Sequence, residues 1–140
     1  MAVQFFFNES VIKLSDRTRL KAFINDLFLN EGGILFSLNY IFCSDQNLIR
    51  INKEFLKHDN YTDIITFCLS NKNEPIEGEI YISTERVKEN AGLGSTSFNN
   101  ELHRVIFHGA LHLCGYEDNK PSDKYKMTTA ENKYLQLYFG

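Results

Sequence analysis

The stretch "TDIITFCLSNKNEPIEGEIYIS", residues 62–83, decides the architecture. Residues 62–70 are rich in β-branched side chains and read as a strand, "NKNEP" (71–75) supplies turn residues, and "IEGEIYIS" (76–83) alternates as a second strand. Two strands joined this closely pair as an antiparallel hairpin.

Upstream the pattern differs. "VQFFF" (3–7) is short, Phe-rich and bounded by "NES", as a strand should be. Ser15 offers an N-cap to a helix in which Leu20, Phe23, Ile24, Leu27 and Phe28 recur at helical spacing, and Gly32 supplies the stop. "ILFSLNYIFCS" (34–44) reads as a strand, and Leu48, Ile51 and Phe55 put a helix over 45–58. Downstream, helices are expected over 84–92 and 99–114, with Pro121 opening a last one that runs to about residue 138. A βαβα start, a hairpin and a helical end imply an α+β fold: one domain over residues 1–140, with a mixed sheet of about four strands and helices packed against it.

The composition agrees. The 140 residues suit one core, and 43% apolar residues including 12 Phe give it ample material. Net charge is −3, so any contact with a polyanion must use a local basic patch. The three cysteines, Cys43, Cys68 and Cys114, are odd in number and lack C-x-x-C spacing, which predicts reduced packing residues and not a disulfide framework. No apolar run approaches a membrane span and the first residues lack a basic leader, so a cytoplasmic protein with no membrane partner is expected.

Chemistry concentrates in "HGALHLCGYED", residues 108–118. At about 100° per residue, Leu102, Val105, Ile106, Gly109 and Leu113 share one face of the helix, while His108 and His112 lie about 40° apart on its flank. Cys114 points well away from both. Gly115 can take the left-handed conformation that ends a helix, and Asp118 follows three residues later, facing the histidines across the turn. The pattern H-x-x-x-H-x-x-G-x-x-D parallels zinc peptidases, whose helical histidine pair and later third ligand leave one position for water. Those enzymes place a Glu after the first histidine as general base. Here that position is Gly109, which cannot exchange a proton.

The same stretch resembles the "HGxLHLxGYDH" signature of the YbeY proteins, bacterial endoribonucleases and rRNA maturation factors. "INKEFLKHDNYTDIITF" (51–67) resembles that family's "LN..yR..d.pTDVLSF" segment, "EGEIYIS" (77–83) its "GDIyIs" strand, and "YKMTTAENKYL" (125–135) its "M...E" helix. The resemblance implies an α+β fold with a zinc site in a cleft beside the sheet. It also implies one Zn²⁺ per chain on His108, His112 and Asp118, and a role in small-subunit ribosomal RNA maturation. The expected partners are then the 16S rRNA precursor and small-subunit proteins.

Two positions depart from the family pattern. Its third histidine is Asp118 here, and the arginine of its cleft is Leu56. A two-histidine, one-carboxylate set still makes an open zinc site. It lowers the site's net charge by one unit, makes bound water harder to deprotonate, and brings Mn²⁺ or Fe²⁺ into competition. Loss of the arginine removes a fork of donors suited to a phosphodiester transition state. Lys57 and His58 are the nearest substitutes for stabilising phosphate, against a reading as solvated loop groups. Arg104, one turn before His108, is a candidate for steering RNA phosphate or else the partner of a surface carboxylate. Glu79 could bond a ligand histidine or pair within its strand. Glu117 reads as a turn carboxylate, Thr62 and Asp63 as organisers of the turn into the third strand, and Met127 and Glu131 as packing and capping residues. The function expected is zinc-dependent cleavage of single-stranded RNA in 16S 3′-end maturation and small-subunit quality control. A non-catalytic ribosome-assembly factor with a metal site is the alternative, and a metallopeptidase a third.

Overall fold

The computed structural model describes residues 2–8, 10, 12–56 and 62–140. The elements run β1 (Val3–Phe7), α1 (Arg17–Asn30), β2 (Leu35–Cys43), α2 (Asp45–Ile51) continuing into a π-helical turn (Asn52–Leu56), β3 (Ile64–Cys68), β4 (Ile76–Ser83), α3 (Thr84–Leu93), α4 (Phe98–Leu113) and α5 (Pro121–Phe139). The four strands form one mixed sheet in the order β1-β2-β4-β3. β1 and β4 flank β2 in parallel, and β3 closes the edge antiparallel to β4, as the hairpin requires.

Register sorts the side chains onto two faces. Val3, Leu38, Tyr40, Phe42, Ile80 and Ile82 form the inner face and pack with Leu20, Ile24 and Phe28 of α1, Leu102, Ile106 and Phe107 of α4, and Tyr134 and Tyr138 of α5. Tyr40 is fully buried and donates its hydroxyl proton to the Ile106 carbonyl at 2.8 Å, so its polar end is satisfied where it enters the core. On the other face α2 packs Leu48 and Ile51 on Cys43 and Ile65, beside Phe67 and Tyr81. The fourth histidine, His103, belongs to the core: its Nδ1 donates to the Asn99 carbonyl at 2.7 Å and its ring stacks on Tyr138.

Serines cap α2, α3 and α4 by accepting from the third residue on: Ser44 from the N–H of Asn47, Ser83 from Arg86, and Ser97 from Asn100. Helix α1 departs from expectation. Its N-cap is Asp16, in the left-handed region at φ 53°, with no side-chain cap bond, so Ser15 lies outside the helix. The third strand starts later than expected because Thr62 and Asp63 turn the chain: the Thr62 hydroxyl donates to the Ile64 carbonyl at 3.3 Å, and the N–H of Ser83 to the Asp63 carbonyl at 2.9 Å. Phe55, expected on a buried stripe, is 66% exposed, because the π-helical turn changes the register after Ile51. Among the cysteines Cys43 packs in the core, but Cys68 is exposed at the end of the edge strand, where its thiol lies 3.5 Å from the Ser70 carbonyl instead of packing. Among the described residues no helix is long and apolar enough to cross a membrane.

Candidate metal centre

Helix α4 is amphipathic, and its apolar stripe lies on β4 while His108 and His112 stand at the edge of that contact. Their rings are 4.8 Å apart between centroids and close to perpendicular. Cys114 ends the helix and Gly115 turns the chain back at φ +109°, a conformation that glycine adopts without strain. The turn is tied down from outside. Tyr116 donates its hydroxyl to Glu31 Oε1 at 2.8 Å, and Tyr134 donates to the other oxygen of the same carboxylate. That anchoring returns Asp118 to the histidines: its Oδ2 lies 3.4 Å from His108 Nε2 and 3.5 Å from His112 Nε2.

Those spacings carry chemical information. Zinc bonds of about 2.0–2.1 Å meeting at tetrahedral angles leave neighbouring donors roughly 3.3 Å apart. One donor atom from each of His108, His112 and Asp118 lies within 4.8 Å of the others, so the group could hold a metal ion. Cys114 is no part of it; burial and the charge of Glu31 push its thiol up to about 12.

The donors open into a cleft of about 890 Å³ between α4 and β3, lined by Asp63, Ile64, Thr66, Glu101 and Arg104 among others. Burial raises the Asp63 carboxyl above its usual range, and the charge of Glu131 adds to this, although His108 and a bond from Asn90 oppose it. Glu101 is raised too, by burial first and then by Asp63. Thr62 and Asp63 therefore organise the turn, as expected, and also line the cleft. Glu117 lies along a separate, smaller cavity with Cys114 and Asp123. Glu79 does not reach the histidines: it sits on the opposite face of β4 and accepts from the Tyr81 hydroxyl at 3.3 Å. Lys57 and His58 lie outside the described residues.

The residue missed from sequence is Glu131. Instead of capping its helix, it is buried and bonds His108 Nδ1 at 2.6 Å and Arg104 at 2.8 Å. Arg104 thus has its carboxylate partner, a buried one on α5 rather than one at the surface.

The family model described as Endoribonuclease YbeY matches residues 7–138. The chain belongs to the YbeY endoribonuclease family. Curated relatives named "Endoribonuclease YbeY" include one from Cytophaga hutchinsonii, 45% identical over 95% of this chain and 94% of its own length. Another, from Flavobacterium psychrophilum, is 40% identical over 94% of each chain. The solution structure of a Thermotoga maritima protein superposes with TM-score 0.67 at 28% identity, covering 95% of this chain and 87% of the other.

In this YbeY-family chain the His108 imidazole has opposing influences. Burial lowers its proton affinity, but the bond and charge of Glu131, with the charges of Asp118 and Asp63, outweigh it and raise the pKa above the usual value near 6.5. The stability that this adds to the metal-free protein is present below the unfolded value and lost as pH rises through the raised folded one. Metal binding needs the unprotonated nitrogen and runs the other way, weakening as pH falls through the raised value. The gap in melting temperature between metal-loaded and metal-free protein is therefore expected to narrow steadily from pH 8 to pH 6. A constant gap would mean that the ion does not compete with the His108 proton.

Proposed function

We propose that the protein is a metal-dependent endoribonuclease acting on single-stranded RNA, with one Zn²⁺ on His108, His112 and Asp118. The observation that carries this reading is the convergence of two imidazole nitrogens and one carboxylate oxygen, 3.4 and 3.5 Å apart, on an open cleft. The names of the relatives supply the substrate class. A bound divalent ion supplies Lewis-acid charge and a water of lowered pKa. Around it the chain's own groups do the rest. His108 and His112 present Nε2 from one rigid helix, Asp118 closes the set from the far side of the Gly115 turn, and Ile64 and Val105 line the cleft beside them. Asp63 and Glu101 line the same cleft, and burial raises both carboxyls above their usual range. Gly109 holds none, so a peptidase mechanism with a helix-borne glutamate base lacks its base.

The cellular substrate that fits this family is the 16S rRNA precursor, cleaved toward its mature 3′ end in the cytoplasm and checked with small-subunit proteins as partners. One feature favours the rival reading, a ribosome-assembly factor with a metal site: Arg104 is the only arginine lining the cleft among the described residues, and its guanidinium is spent on Glu131 and Asn132. The two separate cleanly. With purified protein and a precursor RNA, the nuclease reading expects cleavage products that vanish with chelator and return with added Zn²⁺. Salt-dependent binding with no products at any metal level would support the assembly factor instead.

A further inference from the structure

Arg104, Glu131 and His108 form a chain of contacts for which RNA cleavage as described has no use. Glu131 reaches across from α5 with a side chain only 9% exposed, and both of its oxygens are engaged: Oε2 with His108 Nδ1 at 2.6 Å, Oε1 with Arg104 at 2.8 Å. Arg104 is itself fixed, since its second terminal nitrogen donates to Asn132 Oδ1 at 2.7 Å. An ionised carboxylate can only accept, so the proton of this short contact belongs to His108 Nδ1. The lone pair of a neutral His108 is then on Nε2, the nitrogen 3.4 Å from Asp118.

We infer that Glu131, clamped by Arg104, is a positioning residue that sets the tautomer and ring orientation of His108 so that Nε2 faces the ion. Arg104 on this assignment serves the metal and not RNA phosphate. The inference rests on the metal reading of the site but not on nuclease activity, so its test is metal affinity measured without RNA. Outer partners of ligand histidines commonly contribute about 10–100-fold in affinity.

Glutamine at residue 131 gives a sharp test, because Arg104 and His108 both demand an acceptor and an amide has only one. If the amide oxygen turns to Arg104, its NH₂ faces Nδ1 and drives the proton to Nε2, where it blocks the ion. Glu131→Gln is therefore expected to weaken Zn²⁺ binding, in competition with a chelator, by about 10–100-fold. In the metal-free variant, nitrogen NMR above the histidine titration should show the His108 proton moved from Nδ1 to Nε2. Arg104→Met combined with Glu131→Gln frees the amide oxygen for His108 and should recover part of the affinity, a non-additive rescue that a merely structural ion pair between α4 and α5 would not produce. Unchanged affinity and tautomer in Glu131→Gln would overturn the inference, as would affinity losses that add in the double variant. Arg104→Met alone should weaken metal binding. If it leaves that at the wild-type level while weakening RNA binding and reducing the salt slope by about one, Arg104 is a phosphate contact after all. Glu131→Gln is isosteric, so far-UV circular dichroism should match wild type, and all the affinities can be read on folded protein.

Discussion

Asp118→Ala is expected to remove the metal and RNA cleavage together. The affinity loss should exceed the roughly 10–100-fold typical of losing an outer partner, because a direct donor is lost. Asp118 is the one member of the donor set that does not come from α4, and its Oδ2 is within 3.5 Å of both histidine nitrogens. Two imidazoles on one helix hold an ion from one side only. Elemental analysis of protein purified without added metal, run beside a cleavage assay, checks both losses at once; full zinc occupancy in the variant would sink the ligand assignment. The fold itself should hold. The Asp118 side chain is 40% exposed and packs in no core, so metal-free stability should stay within about 0.5 kcal/mol of wild type.

Asp118→His completes the argument with the opposite sign. It restores the family's third histidine and raises the net charge of the site by one unit. Metal should be retained, and the profile of activity against pH should move toward lower pH. A profile that stays in place while metal content is normal would show that the charge of the third ligand does not set the working pH.

How much of this site is legible before folding depends on how local each contact is. His108, His112 and Asp118 are separated by one helical turn and one glycine turn, so spacing alone brings them together. The antiparallel hairpin is equally local, and the mixed sheet follows from it. Glu79 is a different case: the alternation that turns Ile80 and Ile82 toward α4 turns Glu79 to the other face, so strand parity argues against a bond to either histidine. Glu131 is beyond such reasoning. It lies 23 residues after His108, and only the packing of α5 on α4 shows that its carboxylate enters the cleft and not solvent. The one available signal is the "M...E" resemblance, which marks the residue without giving it a partner. Phe55 fails for a local reason with no local signal, since nothing in "INKEFL" announces a π-helical turn.

Gly109→Glu would complete the H-E-x-x-H pattern of zinc peptidases, yet it is expected to unfold the protein and not to confer peptide hydrolysis. A Cβ at residue 109 would lie 2.8 Å from Ile80 Cδ1, 3.0 Å from Ile64 Cδ1 and 3.1 Å from Ile80 Cγ2, well inside the ~3.5–4.0 Å of ordinary carbon contacts. The end methyls can rotate away. Ile80 Cγ2 cannot move far, because it branches directly from the Cβ of a stiff residue in a central strand. Alanine is the mild case: about 1 kcal/mol gained in helix propensity against about 1–3 kcal/mol of overpacking. Its urea midpoint should therefore fall only modestly. Glutamate adds four more heavy atoms and a charge, aimed at a floor of isoleucines. That cost is comparable with the roughly 5–15 kcal/mol that holds a whole domain together. Soluble Gly109→Glu protein with a wild-type melting temperature would refute this packing account. The expected collapse means that the close seating of α4 on β4, which aims both histidines at the cleft, itself excludes the peptidase base.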